Sequence, residues 1–219
     1  MTAGWLRLAL AVAILGSITW QITDRMIHNL FRPSEYFAYF TIQSSLISAV
    51  ALVLAGLGAV RGLSESRRMT LVRLSAVTTL VLVGIVYNAL LRGTAPAPAD
   101  IGYDWPVAPN ELLHVWAPIL ILVDWLLLPA LIRLKLRSIF WVLAFPLAWL
   151  TFSVIRGSIT GWWPYWFIDP TGANGVAGML GYIFGIMFFF LFLAAIVLLL
   201  ARVVVRFTSK TAIAEAPAN

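Results

Sequence analysis

The chain has 219 residues, of which 62% are hydrophobic and only 11% are charged, and its mean hydropathy is +0.94. A soluble domain carries about a quarter charged residues, so this composition excludes an ordinary soluble fold and indicates a polytopic membrane protein. The formal net charge is +6, but no basic patch interleaved with aromatic residues predicts nucleic-acid binding. Because the chain has no cysteine, thiol catalysis, disulfides and cysteine-rich metal sites are also excluded.

The apolar residues fall into six runs of about 20, each long enough to cross a hydrocarbon core as an α-helix. In chain order the runs are 3–22, 36–60, 70–91, 111–132, 138–157 and 176–201. A β-barrel would need strands about half as long that alternate in polarity. We therefore predict an all-α bundle of six transmembrane helices, a single domain over residues 1–205 followed by a disordered cytoplasmic tail over 206–219.

The basic residues are distributed unevenly along the chain. They are concentrated in the links after the second and fourth runs and in the C-terminal tail, whereas the other three links hold most of the acids, including Asp100 and Asp169. By the positive-inside rule, both termini are cytoplasmic and the acidic links lie on the outer side. The positive balance therefore reflects topology and anionic head groups, so membrane lipids are expected partners and nucleic acid is not.

The second predicted helix carries a polar cluster close to its outer end, where Thr41, Gln43, Ser44 and Ser45 occur within five positions. Three other predicted helices bring polar groups to the same layer, because each begins or ends at that surface. These groups are Tyr87, Asn88 and Arg92 in the third helix, His114 in the fourth, and Ser153 and Arg156 in the fifth. Ionisable groups inside a membrane face a cavity or one another, so the shared depth predicts a polar site.

A hydroxyl and an imidazole at one depth are the minimum for nucleophilic acyl transfer, in which histidine takes the hydroxyl proton and returns it to the leaving group. Thr41 and His114 are the candidates for these two roles. Asn88, Tyr87 or a backbone N–H group is the candidate for stabilising the oxyanion.

Arg156 and Arg92 are candidates for holding an anionic substrate group, but each polar residue also has a structural interpretation. Threonine, serine and glutamine in transmembrane helices commonly bond a backbone carbonyl or a neighbouring helix, which would make Gln43 and Ser44 supporting residues. His114 can cap the fourth helix, and Arg156 can extend to the outer lipid head groups.

Asp124 lies ten residues beyond His114 in the fourth predicted helix, which predicts a position near the middle of the membrane. A carboxyl group at that depth is either protonated or partnered. A hydrogen bond to Thr78, Thr79 or Thr151 of a neighbouring helix is the structural interpretation. A proton relay is the functional one, although no second acid lies at the same depth.

The link between the fifth and sixth predicted helices is rich in aromatic residues, with Trp162, Trp163, Tyr165 and Trp166 in the sequence GWWPYWF. Tryptophan and tyrosine are enriched at membrane–water interfaces, which favours an aromatic belt. A short, proline-stiffened loop of rings above the polar layer would equally serve as a lid over a lipid-shaped pocket. The spacing does not separate these interpretations.

Three segments, YFTIQSSL, NELLHVWAPILILVDW and RGSITGWWPYWFIDP, resemble the family of androgen-induced and androgen-dependent membrane proteins, including its bacterial branch. The likeness extends over all six predicted helices, from residue 5 to residue 202. It is sharpest in a Thr-Gly-x-Trp-x-Tyr-x-Phe motif at residues 160–167.

The resemblance implies a six-helix protein that hydrolyses fatty acid esters of hydroxy fatty acids with a threonine of the second helix and a histidine of the fourth. Thr41 and His114 match these positions, and Asp124 matches an acid in the family's fourth helix. The sequence departs from the animal members, which carry additional histidines near this site, because here His114 stands alone and Arg156 occupies one of those positions. The bacterial branch implies the bacterial cytoplasmic membrane as the location.

Together these observations favour an intramembrane hydrolase of lipid acyl esters, with a lipid or fatty acyl ester as substrate and neither cofactor nor metal. A non-catalytic lipid-binding or scaffold protein, whose polar layer binds a head group, is the alternative. A small-solute transporter is a third hypothesis, weakened because the sequence has no inverted repeat.

Overall fold

The computed structural model describes residues 1–95, 100–128 and 134–214, with side chains to residue 205. Its described residues form helices and no strand. Six helices are long and apolar enough to cross a membrane, and we number them 1 to 6: Thr2–Ile27, Phe40–Val60, Arg67–Leu91, Val107–Leu127, Leu136–Thr160 and Gly175–Val205. The chain is an integral membrane protein built as an all-α bundle, which confirms the predicted fold class.

Two helix boundaries differ from prediction in ways that affect the polar layer. Helix 2 begins at Phe40 rather than at residue 36, because Pro33–Tyr36 forms a separate helical turn and Tyr39 is extended. Helix 4 begins at Val107, directly after Pro106, four residues earlier than predicted. Its predicted end at residue 132 lies outside the described residues.

The backbone of the last helix remains helical to Ala214, whereas the sequence predicts a disordered tail from residue 206. Residues 215–219, the remainder of that predicted tail, lie outside the described residues. The cytoplasmic position of both termini stays a prediction, since the structure contains no membrane.

Helices 1 and 2 pack closely through two glycines. A Cβ atom on Gly4 would lie 2.7 Å from the carbonyl oxygen of Gly56, and one on Gly56 would lie 2.9 Å from the carbonyl oxygen of Gly4. Such close backbone approach is typical of transmembrane helix pairs, because small residues maximise packing contact. The buried hydroxyls of Ser45 and Ser48 have no hydrogen-bond partner among the described residues, so these serines act here as small packing residues.

Helix 3 is the central element of the bundle and contacts helices 2, 4 and 6. Leu74, Val77 and Leu80 on this helix are at most 1% exposed. Thr78 is also fully buried, and its hydroxyl donates to the carbonyl of Leu74 in the same helix at 2.8 Å. Its polar group is therefore satisfied locally, as is common for threonine in membrane helices.

The bundle has two chemically different ends. The first, which we call the basic end, holds the N-terminus of helix 1 and the links after helices 2 and 4. The second, the chamber end, holds the links after helices 1, 3 and 5 and the cavity described below.

Asp124 lies at the basic end, so its predicted mid-membrane position is wrong. Its carboxylate bonds the Arg7 Nε atom at 2.8 Å and the Arg73 Nη2 atom at 2.7 Å, and Arg73 also pairs with Glu65 at 2.6 Å. Because helix 4 ends at Leu127, residue 124 lies in its last turn. The predicted bond to a threonine is replaced by an ion-pair network that joins helices 1, 3 and 4.

Candidate functional site

A cavity of about 580 Å³ lies at the chamber end, a volume typical of small-molecule sites. Three of its lining residues come from the ends of different helices: Thr41 from helix 2, Tyr87 from helix 3 and His114 from helix 4. The aromatic link contributes Trp162, Trp163, Tyr165 and Trp166. We call this cavity the polar chamber.

A second, apolar cavity of about 80 Å³ adjoins the polar chamber among helices 2, 3, 5 and 6. Its wall includes Val83, Ile183 and Phe190. Thr41 and Tyr165 line both spaces. A hydroxyl group therefore lies where an apolar space meets a polar one.

Thr41 is held in the first turn of helix 2 and is only 8% exposed. The polar side chains of Ser44 and Gln43 beside it donate hydrogen bonds to nearby backbone carbonyls. The Ser44 hydroxyl donates to the Thr41 carbonyl at 3.1 Å, and the Gln43 amide donates to the Phe37 carbonyl at 2.8 Å. Gln43 thereby fixes the turn that precedes the helix, and neither neighbour lines the polar chamber.

Tyr165 is the aromatic residue next to Thr41. Burial raises the pKa of Tyr165, and hydrogen bonding with the Thr41 side chain and backbone partly opposes that shift. Burial also raises the pKa of Tyr39 to about 12. Both phenols are therefore protonated at physiological pH and able to donate hydrogen bonds. The sequence suggested Tyr165 only as part of a lid.

His114 lies in a π-helical turn, Leu112–Trp116, which packs near a second π-helical turn, Tyr87–Leu91, in helix 3. Such turns widen a helix by one residue and are frequent at functional sites. The His114 ring stacks on the Tyr87 ring with centroids 3.8 Å apart. Gly84 permits this approach, because a Cβ atom there would already lie 3.1 Å from the His114 carbonyl.

The Nδ1 atom of His114 lies 2.9 Å from the carbonyl oxygen of Asn110. A carbonyl oxygen only accepts hydrogen bonds, so Nδ1 carries the proton and Nε2 of the neutral ring is a free acceptor. Nε2 is the atom that a general base would use. The Thr41 hydroxyl and the His114 ring are not hydrogen-bonded to each other in this structure, although both line the polar chamber.

Asn88 and Arg92 do not line the polar chamber. Asn88 donates to the carbonyls of Gly84 at 2.7 Å and His114 at 3.4 Å, and its oxygen accepts from Arg92 at 2.8 Å. Arg92 also pairs with Glu111 at 2.7 Å. These residues tie helix 3 to helix 4, so the structure gives no support to an oxyanion role for Asn88 or a substrate-binding role for Arg92.

Tyr87, the other oxyanion candidate, does line the chamber. Its hydroxyl oxygen accepts a hydrogen bond from the Asn110 amide at 2.7 Å. The hydroxyl hydrogen remains free to donate, because an oxygen that accepts keeps its own proton. Tyr87 is thus, like Tyr165, a phenol of the chamber wall whose hydroxyl hydrogen could be donated to an oxyanion.

Ser153 and Arg156 lie behind the chamber wall rather than on it. The Arg156 guanidinium stacks on the Trp162 ring, with its carbon 4.4 Å from the ring centroid. Its Nη1 atom and the buried Ser153 hydroxyl have no hydrogen-bond partner among the described residues. The position of Arg156 therefore does not support direct contact with a ligand in the polar chamber.

The aromatic link is packed into the bundle rather than arranged only as an interfacial belt. Helix 5 ends at Thr160 and is capped by Gly161, whose φ of 71° favours glycine. Trp163 then folds back over Gly157, where a Cβ atom would lie 2.5 Å from the ring. Phe167 is 6% exposed, and the preceding rings face the chamber. The aromatic link therefore forms part of the chamber wall, and its role as a lid stays a prediction.

An ionic cluster that sequence reasoning missed braces the chamber end. Asp100, which the sequence places in an acidic outer link, is 5% exposed and bonds Arg25 and Arg32 at 2.7 Å each. Burial alone would raise the pKa of Asp100, but the hydrogen bonds from the two arginines hold it below its ordinary value. The cluster anchors the link after helix 3, and no periodic pattern in a link could have revealed it.

Within the described residues, no group of three or more His, Asp or Glu side chains could hold a metal ion. Comparisons with protein-family models, curated proteins and solved structures found no match to the chain.

Proposed function

We propose that the chain is an intramembrane hydrolase of acyl esters of amphiphiles, with Thr41 as nucleophile and His114 as general base. One observation carries this proposal: Thr41 lies where the apolar cavity meets the polar chamber that also contains the His114 ring. An amphiphilic ester has the same division, with an apolar chain, a reactive carbonyl and a polar group in sequence. The resemblance of the sequence to threonine hydrolases of fatty acid esters supports the same assignment.

In the proposed reaction the Thr41 hydroxyl attacks the ester carbonyl and forms an acyl-enzyme. His114 takes the hydroxyl proton on Nε2 and returns it to the leaving alcohol, after which water releases the acyl group in a second step of the same kind. Tyr165 and Tyr87 offer phenolic hydrogens to the developing oxyanion. Because Thr41 and His114 are not bonded at rest, substrate binding must bring them within about 3 Å of each other.

We further propose a bacterial cytoplasmic membrane as the location, with both termini on the cytoplasmic side. The uneven distribution of basic residues between the two ends supports this orientation. The chamber would then open in the outer half of the bilayer, where an ester head group is accessible.

A non-catalytic lipid-binding protein is the second candidate function. The observation that favours it is the resting geometry, in which His114 is stacked on Tyr87 and bonded to Asn110 but does not contact Thr41. Such a protein would bind an amphiphile in the two cavities without cleaving it.

The test is labelling by a fluorophosphonate probe, mapped by mass spectrometry, together with turnover of a chromogenic acyl ester. Thr41→Val keeps the side-chain shape, so it should abolish labelling at residue 41 and lower turnover by at least about 10³-fold. Thr78→Val is the matched control, because Thr78 is also a buried threonine and lines neither the polar chamber nor the apolar cavity. It should retain full activity.

The histidines provide a second matched pair, since the chain contains only two. His114→Ala should reduce turnover nearly as much as Thr41→Val, because a nucleophile and its base act as a unit. His28→Ala should have no effect, since His28 is exposed and does not line the chamber. Wild-type turnover in Thr41→Val would reject the hydrolase and leave the lipid-binding candidate.

A further inference from the structure

The charged residues on the wall of the polar chamber are acids. Asp100 and Asp104 line the chamber, and no lysine or arginine does so among the described residues. Asp100 is bound by two arginines, whereas Asp104 is exposed and has no ion pair in the described part of the chain. The uncompensated charge that faces a ligand is therefore a carboxylate.

The arginines at the chamber end are held by other groups of the protein. Their contacts are those of Arg25 and Arg32 with Asp100, Arg92 with Glu111, and Arg156 with the Trp162 ring. The end of helix 1, the links after helices 1, 3 and 5, the start of helix 4 and the end of helix 5 together contain six acids and four arginines. The acids are Asp24, Glu35, Asp100, Asp104, Glu111 and Asp169. The electrostatic field of this end therefore favours cations.

Aromatic rings form much of the same wall. Tyr39, Trp162, Trp163 and Trp166 line the chamber in addition to Tyr103 and Trp105. Two of these rings already hold a cation, because the Arg25 guanidinium carbon lies 4.5 Å from the Trp105 centroid and 5.2 Å from that of Tyr103. The faces of tryptophan and tyrosine attract cations, and rings combined with a carboxylate are suited to quaternary ammonium groups.

From the chamber's acidic, aromatic wall we infer that the amphiphile bound there carries an ammonium head group rather than a carboxylate. This inference rests on the proposed function, since it assumes that the chamber receives the polar part of an amphiphile. It differs from the substrate that the family resemblance implies, a fatty acid ester with a free carboxylate, for which Arg156 and Arg92 are the candidate partners from sequence. A free carboxylate in the chamber would face Asp104, and Arg156, the arginine of this end without an acid partner in the described part of the chain, does not line the chamber.

The test compares three probes that share a six-carbon chain and differ in head group: hexyltrimethylammonium, hexanol and hexanesulfonate. Binding to the full-length protein in dodecyl maltoside micelles is measured by equilibrium dialysis, with empty micelles subtracted. The neutral detergent avoids attraction of charged probes to the micelle. Hexyltrimethylammonium should bind about tenfold more tightly than hexanesulfonate, the ratio that about 1.4 kcal/mol of cation recognition provides.

Asp104→Asn should reduce that preference several-fold, and Asp169→Asn is its matched control. Asp169 is a carboxylate of the same end that does not line the chamber and instead accepts hydrogen bonds from Thr171. A preference that Asp104→Asn leaves unchanged would overturn the assignment to this wall. Equal or tighter binding of hexanesulfonate would overturn the inferred head group.

The outcomes separate this inference from the proposed function. If hexanol binds as tightly as hexyltrimethylammonium, the head-group inference fails while an amphiphile site remains. If none of the three probes binds, both the inference and the amphiphile site are rejected. If the ammonium preference holds but Thr41→Val leaves turnover unchanged, only the hydrolase is rejected.

Discussion

Both ends of the bundle hold an aspartate between two arginines, buried at the chamber end and partly buried at the basic end, yet they differ in what surrounds the charges. The clusters are Arg7–Asp124–Arg73 at the basic end and Arg25–Asp100–Arg32 at the chamber end. The space beside Asp124 is only about 10 Å³, whereas Asp100 borders a chamber of about 580 Å³. The cluster around Asp124 leaves almost no space beside it, whereas the cluster around Asp100 supports the wall of a cavity.

The difference shows that a buried charge in a membrane helix is not by itself a sign of function. Asp124 matches an acid of the resembled family, but its described contacts are ion pairs that join three helices. At the chamber end, the Thr41 hydroxyl and the neutral His114 ring carry no charge, yet both line an open cavity. Open volume beside polar groups therefore distinguishes the candidate site from the structural cluster.

The orientation of the two ends predicts an all-or-none labelling result. The chain has no native cysteine, so single cysteines can be introduced at exposed positions of each end. Ala173→Cys at the chamber end should react with an impermeant maleimide in whole cells, and Ser64→Cys at the basic end should react only after lysis. Asp100 is unsuitable as a probe position, because it is buried. The reverse labelling pattern would place the chamber on the cytoplasmic side.

Removing the shared acid of the basic end should have the largest effect on stability. Asp124→Asn leaves Arg7 and Arg73 without their common carboxylate, and breaking a buried ion pair costs about 3–5 kcal/mol. Unfolding of the purified protein by SDS or heat measures this loss. Asp104→Asn, at an exposed carboxylate without an ion pair in the described part of the chain, is the control and should change stability by less than about 0.5 kcal/mol.

Asp124→Asn also separates the structural role from a proton relay. Protein that remains folded should keep its turnover, because the ion-pair network is at the end opposite the chamber. Unchanged stability combined with lost turnover would restore the relay interpretation of Asp124.

The helices could be predicted from sequence because spanning length and hydropathy are strong, local signals. The same signals predict the depth of Thr41 and His114 in the membrane. Successive helices alternate in direction and rise by a fixed amount per residue, which places both residues near one surface. The predicted depth of Asp124 is wrong, because helix 4 runs from Val107 to Leu127 and residue 124 lies in its last turn rather than near its middle. The turn that follows Pro106 belongs to the helix but lies outside the predicted apolar run, so hydropathy alone misplaces the helix.

Rotation about the helix axis could not be predicted from depth. Asn88 follows Tyr87 directly, yet Tyr87 faces the chamber while Asn88 bonds the neighbouring helix. The π-helical turn at Tyr87–Leu91 changes which residues face the chamber, and no sequence signal marks it. The link residues Asp100 and Tyr103 were also missed, because their positions depend on tertiary contacts rather than on periodicity.

A smaller loss of stability is expected where helices 1 and 2 touch near the basic end. Gly4→Ala would place a Cβ atom 2.7 Å from the Gly56 carbonyl oxygen, so the helices must separate at a cost of about 1–3 kcal/mol. Gly16→Ala on the same helix is the matched control, because no atom lies within 4 Å of its Cβ position. It should be neutral or slightly stabilising. Equal effects of the two variants in SDS unfolding would show that this close contact does not hold the basic end together.

The smallest effect is expected from the hydroxyls beside Thr41. Ser44→Ala removes one bond to the Thr41 carbonyl within the same helix, which should cost about 0.6 kcal/mol and leave turnover within about twofold. Ser45→Ala removes a buried hydroxyl without a partner in the described structure, so it should be neutral or stabilising. Both variants are compared with Thr41→Val for turnover and SDS unfolding. A large loss of turnover in Ser44→Ala with normal stability would mean that the Thr41 carbonyl must be held for catalysis. The first turn of helix 2, rather than one hydroxyl, would then be the unit that distinguishes the chamber end from the basic end.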